Sequence, residues 1–129
     1  TDVYVRTVTE TDIVQYSQIS GDNNPIHMNE EFARQTVFNG RIAHGMLTCG
    51  YISAVLGTKL PGPGCAYINQ NLNFRAPVRI GDTVQTRVTI MEIIKEANNV
   101  VCEAVCSIAE KVVIDGTATL WVPNRRPDS

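Results

Sequence analysis

The fold is decided by the apolar stretch Met46-Leu47-Thr48-Cys49-Gly50-Tyr51-Ile52-Ser53-Ala54-Val55-Leu56, the longest with helical spacing in the chain. It is apolar nearly all round, and Gly50 and Ala54 are small enough for close packing. Gly45 opens the stretch, and Pro61-Gly62-Pro63-Gly64 prevents a helix from continuing beyond it. The pattern therefore predicts one buried central helix.

Strands are predicted after this helix, because the apolar period changes to two from Cys65 onward. Pro77 and Gly81-Asp82 make one turn and Asn98-Asn99 makes another, and the last of four long strands covers 112–122. The apolar faces of the first three strands comprise Ile68, Leu72, Phe74, Val84, Val88, Ile90, Val100, Cys102, Ala104, Cys106 and Ile108. We expect the four strands to run antiparallel.

Short elements precede the central helix. Val3 and Val5 alternate with polar residues as in a strand, and Thr9-Glu10-Thr11-Asp12 matches the start of a capped helix that Gly21 ends. Asn29 can cap a further short helix over 30–34. A sheet wrapped around one central helix is the simplest α+β way to bury both. We therefore expect a single domain over 1–129 with a core of about 7–123.

Composition limits the class of protein. The 129 residues are 43% hydrophobic and 19% charged, which excludes wholesale disorder. The formal net charge is −2, and only Arg125-Arg126 forms a basic pair, so no nucleic-acid partner is expected. Since no run approaches about 18 apolar residues, we also expect no membrane span.

The compartment is predicted from the N-terminus and from cysteine usage. The first residues have neither a basic n-region nor an apolar h-region, so no secretory signal is visible. Cys102 and Cys106 would lie about 13 Å apart on one strand, beyond the reach of a disulfide. Four reduced thiols, including Cys49 and Cys65, are typical of an intracellular protein. We expect a cytoplasmic location, or a mitochondrial one where a leader has been removed.

Asp22 and His27 are the first candidates for chemistry. They flank the Asn24-Pro25 turn, which can bring both side chains to one small volume. A carboxylate and an imidazole that converge on one water form a general acid–base pair. Residue chemistry alone leaves an alternative open, in which Asp22 is only a turn residue and His27 a partly buried loop histidine.

Gly45 is the second candidate. A glycine that opens a buried helix leaves backbone N–H groups free at the positive end of the helix dipole. Such a group suits a thioester oxygen that gains negative charge during a reaction. The alternative for Gly45 is a role in helix packing alone, and we interpret His44 beside it as a structural hydrogen-bonding residue rather than a second base.

Other chemistries are disfavoured. The two histidines lack Cys or carboxylate partners at metal-ligand spacing, so no zinc or other metal is expected. No serine lies in a G-x-S-x-G elbow, which disfavours a serine hydrolase. The turn at Pro61-Gly62-Pro63-Gly64 lacks the Lys-Ser/Thr ending of a phosphate-binding loop.

Two motifs carry a resemblance to a known family. Ser20-Gly21-Asp22-Asn23-Asn24-Pro25-Ile26-His27 resembles the hydratase motif of MaoC-like enzymes, and Arg41-Ile42-Ala43-His44-Gly45-Met46-Leu47 matches their R-I-A-H-G-M-L segment. Further matches in the same order continue to Pro123, so the resemblance covers roughly residues 7–123. It implies a hot-dog fold, in which an antiparallel sheet wraps around a long helix.

The resemblance also implies an activity. MaoC-like hot-dog dimers hydrate trans-2-enoyl-CoA to (R)-3-hydroxyacyl-CoA reversibly, with coenzyme A as part of the substrate and no other cofactor. Carried over by position, Asp22 and His27 are the catalytic dyad, and the Gly45 N–H binds the thioester carbonyl. Asn24 shapes the active-site loop, and Ser53 lines the site. We therefore expect a homodimeric hydro-lyase.

Three alternatives remain at this point. The nearest is a 3-hydroxyacyl-thioester dehydratase of fatty acid synthesis, which would use acyl-carrier-protein substrates with the same residues. The second is a hot-dog thioesterase, and the third is a non-catalytic protein that binds acyl thioesters. Acyl-chain length and pathway are not encoded in the motifs.

Overall fold

A computed structural model describes residues 1–123, so Arg125-Arg126 and the end of the predicted 1–129 domain lie outside the described residues. The elements are β1 (Asp2–Thr7), α1 (Glu10–Ser20), α2 (Pro25–Met28), α3 (Glu30–Arg34), α4 (Gly45–Thr58), β2 (Ala66–Phe74), β3 (Thr83–Ile94), a 3₁₀ turn (Lys95–Ala97), β4 (Asn99–Ile108) and β5 (Lys111–Trp121). The five strands form one antiparallel sheet in the order β1-β3-β4-β5-β2. The predicted α+β class and hot-dog layout are confirmed.

Helix α4 is the predicted central helix, and it packs against β1, β3 and β4. Its buried residues are Thr48, Cys49, Tyr51, Ile52, Val55 and Leu56. The expectation that it is enclosed nearly all round is wrong for one side, where Met46, Gly50 and Ser53 are exposed. That side borders a cavity between α4 and the edge strand β2, and residues of both elements line it.

The central strands follow the alternation predicted for them. Val84 and Val88 of β3 are buried, as are Val100, Cys102, Ala104 and Cys106 of β4. These side chains join α4 in a single apolar core. The core thus forms between the central helix and the middle of the sheet. This is expected because every second side chain of a strand, and one face of a helix with 3.6 residues per turn, can be buried against each other.

Edge strands depart from the prediction. The face assigned to Ile68, Leu72 and Phe74 is not buried as a unit, because Ile68 and Phe74 are each 55% exposed and only Leu72 packs against the core. The physical reason is that β2 lies at the edge of the sheet, and its register with β5 shifts between Tyr67 and Asn69. A bulge of this kind redirects side chains locally.

Helix α1 ends where the first motif begins. Thr9 and Asp12 form both hydrogen bonds of the predicted capping box, and Gly21 terminates the helix with φ +80°. A left-handed conformation costs glycine little, because it has no Cβ. The chain therefore turns sharply at Gly21 and presents Asp22 at the end of α1.

All four cysteines are free thiols, as predicted. Burial raises the pKa of Cys49 and of Cys102 to about 11 each, so both are protonated at neutral pH. Among the helices of residues 1–123, none is long and apolar enough to cross a membrane. The compartment stays a prediction.

Candidate active site

Hydrogen bonds to backbone carbonyls join the two motif segments. Ile42 N–H donates to the carbonyl of Ile26 over 3.2 Å. Arg41 Nε donates to the carbonyl of His27 over 2.6 Å. Two segments that are separated in sequence therefore run side by side, and the residues at their ends are held at fixed positions.

Asp22 is held by hydrogen bonds on both sides of the α1–α2 loop. Its backbone N–H donates to Ser20 Oγ over 3.1 Å, and its Oδ1 accepts from the N–H of Asn24 over 3.2 Å. Ser17, which is buried in α1, donates its hydroxyl to Asn23 Oδ1 in the same loop. The carboxylate itself stays exposed, so one of its oxygens remains available to solvent or substrate.

Asn24 and Pro25 explain why His27 lies on a helix rather than in a loop. Asn24 is extended, with φ −52° and ψ 123°, as a residue before proline tends to be. Its Oδ1 accepts from the N–H of Ile26 over 3.1 Å and so caps α2. Because proline suits the first helical turn, α2 starts at Pro25 and carries His27. Asn24 is exposed and acts here on the backbone.

His27 is buried, with an exposed fraction of 8%. Its Nδ1 lies 2.8 Å from the carbonyl oxygen of Ile42. Because a carbonyl can only accept, Nδ1 carries a hydrogen, and in the neutral form of the ring the free lone pair is on Nε2. This is the tautomer that a general base requires.

The structure brings Asp22, His27 and His44 together. One carboxylate oxygen of Asp22 and one ring nitrogen of each histidine all lie within 4.8 Å of one another. An oxygen and a nitrogen at such a separation can both hydrogen-bond one water at about 2.8 Å. Asp22 and His27 thus lie where the predicted dyad needs them, and their catalytic role stays a prediction.

His44 anchors the loop that carries Asp22. Its Nε2–H donates to the backbone carbonyl of Asp22 over 3.0 Å, which agrees with its predicted structural role. The ring centroid lies 4.0 Å from that of His27 and 4.7 Å from that of Tyr16, with 32° and 55° between the ring planes. Burial lowers the pKa of His44, and the neighbouring His27 lowers it further, while the bond to Asp22 opposes the shift. His44 is therefore neutral near pH 7.

The same cluster was tested as a metal site, because a carboxylate and two imidazoles are common zinc ligands. Two imidazoles on one tetrahedral zinc ion have ring centroids about 5 Å apart. The rings of His27 and His44 stack at 4.0 Å, with 32° between their planes. This separation is shorter than two imidazoles on one zinc ion require, so the cluster fits a metal poorly.

Gly45 lies at the first position of α4, beside a cavity of about 330 Å³ that we call the His27 cavity. Its lining includes His27, Ile42, Gly45, Thr48, Phe74 and Arg75. No side chain caps the start of α4. The Gly45 N–H and the positive end of the helix dipole are therefore available to an oxygen in this cavity.

A second reason for glycine at position 45 is the ring of Phe74. A Cβ on Gly45 would lie 2.6 Å from Cε2 of Phe74, closer than real Cβ contacts come. The Phe74 ring therefore occupies part of the space that the missing Cβ leaves beside the Gly45 backbone, and a ligand in the cavity would use the rest.

Ser53 lies apart from the other predicted site residues. It is on the exposed side of α4 and lines a second cavity of about 330 Å³, the Ser53 cavity, together with Met46, Cys49, Gly50, Tyr67 and Leu72. Most of that lining is apolar. Ser53 is not brought to Asp22 and His27, and its predicted contact with substrate stays a prediction.

Sequence reasoning missed two features of this site. One is the stacking of His44 on His27, which depends on how two distant segments meet. The other is Thr48, a residue of the His27 cavity lining whose buried hydroxyl has no hydrogen-bond partner among the described residues. A polar residue one turn into an otherwise apolar helix was the available signal for it.

The sequence and the fold are similar to those of known proteins. The model of the MaoC-like domain matches residues 2–114. The chain belongs to this family. Among its MaoC-like relatives is an (R)-specific enoyl-CoA hydratase of Rhodospirillum rubrum, 54% identical over 93% of this chain and 83% of the relative. A 3-hydroxybutyryl-CoA dehydratase of Methylorubrum extorquens is 50% identical over 97% and 80%.

A solved structure agrees with these relatives. The (R)-hydratase from A. caviae involved in PHA biosynthesis has a TM-score of 0.90 and 28% identity, covering 95% of this chain and 93% of that one. The family that the two motifs predicted is thereby confirmed, and so is the fold.

Proposed function

We propose that this MaoC-like protein is an (R)-specific enoyl-CoA hydratase, a hydro-lyase that adds water to trans-2-enoyl-CoA to give (R)-3-hydroxyacyl-CoA, reversibly. The observation that carries the proposal is the convergence of Asp22 and His27 beside the cavity that Gly45 opens onto. Relatives at 54% and 50% identity are named as a hydratase and a dehydratase of CoA thioesters, which are two directions of one reaction.

The proposed mechanism uses one water and three protein groups. The thioester carbonyl accepts a hydrogen bond from the Gly45 N–H, which stabilises the negative charge that develops on its oxygen. The Asp22–His27 pair takes a proton from the water, and the hydroxyl oxygen bonds to C3 as the double bond's electrons move toward the carbonyl. A proton returned from the same pair to C2 completes the addition. Because the hydroxyl group and the proton both reach the double bond from the face on which the pair lies, only one stereoisomer forms.

No resident cofactor is needed for these steps. The proton transfers are within reach of an imidazole and a carboxylate, and the helix N-terminus supplies the electrophilic assistance. Coenzyme A enters only as part of the substrate.

We also propose that the protein is a homodimer joined along β2. This strand is at the sheet edge and exposes three large apolar residues, Tyr67, Ile68 and Phe74. An exposed apolar edge invites pairing with another strand. A second copy placed there would also cover the Ser53 cavity, which β2 borders.

The nearest alternative is a dehydratase whose acyl chain is carried by acyl carrier protein instead of coenzyme A. A plant relative, a mitochondrial 3-hydroxyacyl-[acyl-carrier-protein] dehydratase of Arabidopsis thaliana, is 34% identical over 92% of this chain. Steady-state rates with crotonyl and octenoyl groups on coenzyme A and on acyl carrier protein test the point. We expect a higher kcat/KM with coenzyme A at both lengths, whereas a preference for the protein carrier would favour the dehydratase.

Assays of the same substrates also distinguish a hydratase from a thioesterase. The hydratase reaction consumes enoyl absorbance and releases no free thiol, so a thiol reagent should remain unreacted. Chiral analysis of the product should give the (R)-3-hydroxy isomer. Thiol release without loss of the double bond would contradict the proposal.

A further inference from the structure

Thr48 carries a hydroxyl group for which the described part of the chain supplies no partner. The residue is fully buried on α4, and its Oγ1 forms no hydrogen bond. Buried polar atoms are nearly always paired, because an unpaired one loses its hydrogen bonds to water without replacement. An unpaired hydroxyl at this place therefore calls for a ligand or a function.

The Thr48 hydroxyl does not form the hydrogen bond to its own helix that is common for this residue type. A helical Ser or Thr commonly donates to the carbonyl four residues earlier. Thr58, on the same helix, does so to Ala54 over 2.6 Å, and Ser20 does so to Tyr16 over 2.7 Å. The equivalent acceptor for Thr48 is the carbonyl of His44. Its hydroxyl forms no hydrogen bond to that carbonyl.

The direction in which Thr48 extends is set by helix geometry. Side chains lean toward the N-terminus of their helix and cover the preceding turn. For Thr48 this is the turn that begins at Gly45, where no Cβ fills the space. Both residues line the His27 cavity. Phe74, which lies against Gly45, is more than half exposed, so its ring can turn aside as a substrate enters.

The geometry points to Thr48 as a second hydrogen-bond donor to the substrate: its hydroxyl donates to the thioester carbonyl oxygen that the Gly45 N–H holds. This inference rests on the proposed function. As the hydroxyl oxygen of water bonds to C3, negative charge grows on the carbonyl oxygen, and a second donor stabilises that charge more than it stabilises the starting thioester. Thr48 thereby contributes to kcat.

Thr48→Val is the discriminating variant, because valine has nearly the shape of threonine and lacks only the hydroxyl. We expect kcat for crotonyl-CoA hydration to fall about tenfold with little change in KM, while Tm rises because an unpaired buried hydroxyl is gone. Thr48→Ser, which keeps the hydroxyl, should retain most of the wild-type kcat. A Thr48→Val enzyme with wild-type kcat overturns the inference.

A spectroscopic test does not depend on turnover. In an Asp22→Asn background, unreacted crotonyl-CoA labelled with ¹³C at the carbonyl can be observed while bound. Each hydrogen bond to a carbonyl lowers its stretching frequency, so adding Thr48→Val should move the band to higher frequency. An unchanged band would contradict the proposed contact.

Failure of this inference can be distinguished from failure of the proposed function. Should wild-type protein fail to hydrate any enoyl-CoA, the function is wrong. If the wild type is active and Thr48→Val is equally active with an unshifted carbonyl band, only the role of Thr48 is wrong.

Discussion

His44 donates its Nε2–H to the backbone carbonyl of Asp22 over 3.0 Å while its ring stacks on His27 at 4.0 Å. One buried side chain therefore contacts both members of the candidate dyad. The relationship makes His44 a positioning residue, since it is buried, holds the loop of Asp22 beside the ring of His27 and is not part of the His27 cavity lining.

The first prediction concerns this positioning role. His44→Phe keeps a flat ring for stacking but removes the donor, so the Asp22 loop loses an anchor, and kcat should fall at least roughly tenfold with KM little changed. His44→Gln, whose amide can still donate, should lie between this variant and the wild type. Steady-state kinetics with crotonyl-CoA measure both. A wild-type kcat in His44→Phe would show that the anchor is dispensable.

The second prediction is a pH dependence of stability. Burial lowers the pKa of His44 below its ordinary value of 6.5, so below that pH the unfolded chain binds a proton more readily than the folded one. The unfolding free energy should be fully present above pH 6.5 and should fall as the pH drops from there toward the lowered pKa. The limiting slope for one proton is about 1.4 kcal/mol per pH unit.

Urea unfolding between pH 7.5 and pH 5 measures this slope, and His44→Phe is the control that should flatten it. The hydrogen bond from Arg6 lowers the pKa of Asp12 below 3.8, so loss of that ion pair falls outside the measured range. Equal slopes in wild type and variant would assign the effect to another group.

The third prediction is steric. Gly45→Ala keeps the backbone N–H but places a Cβ 2.6 Å from the ring of Phe74, so the ring must move within the His27 cavity. We expect kcat/KM to fall at least roughly tenfold, because the added Cβ occupies space beside the Gly45 N–H that the substrate carbonyl needs. Gly45→Ala/Phe74→Leu should recover part of the loss.

Gly57→Ala on the same helix is the matched control, because a Cβ there meets nothing within 4 Å. It should leave kcat/KM unchanged and stabilise the helix by up to about 1 kcal/mol. If Gly45→Ala behaves like Gly57→Ala, the close approach at Gly45 has no role in substrate binding.

The ends of the helices are predictable from local sequence patterns. The burial of the strands also depends on their order in the sheet, which local patterns do not give. The capping box at Thr9, the stop at Gly21 and the start of α4 at Gly45 are local, and each lies where the sequence predicts it. The face of β2 was mispredicted because alternation at Ile68 and Phe74 cannot reveal that a strand lies at an edge.

The site shows the same division. Asp22 and His27 are five residues apart across a proline turn, so their convergence follows from local geometry. His44 and Asp22 are 22 residues apart, and the acceptor of their hydrogen bond is a backbone carbonyl. Every residue has such a carbonyl, so the amino-acid sequence does not reveal this contact. The contact of Phe74 with Gly45 likewise exists only once β2 is placed beside α4.

The fourth prediction concerns the dimer. Ile68→Lys places a charge on the exposed edge of β2, which should oppose pairing of two copies without disturbing the core, because Ile68 is 55% exposed. Size-exclusion chromatography with light scattering should show a dimer for wild type and monomer for the variant. Val5→Lys on β1 at the other edge, 57% exposed, is the control and should remain dimeric. A monomeric wild type would exclude the proposed assembly.

The most direct test of the hydratase mechanism removes each member of the dyad in turn. Asp22→Asn and His27→Ala should both fold, as judged by circular dichroism and Tm, and each should lose at least about 100-fold in kcat for crotonyl-CoA hydration, because the water then lacks its acid–base pair. Two folded variants that keep near wild-type turnover would contradict the assignment of Asp22 and His27 as the groups that activate water.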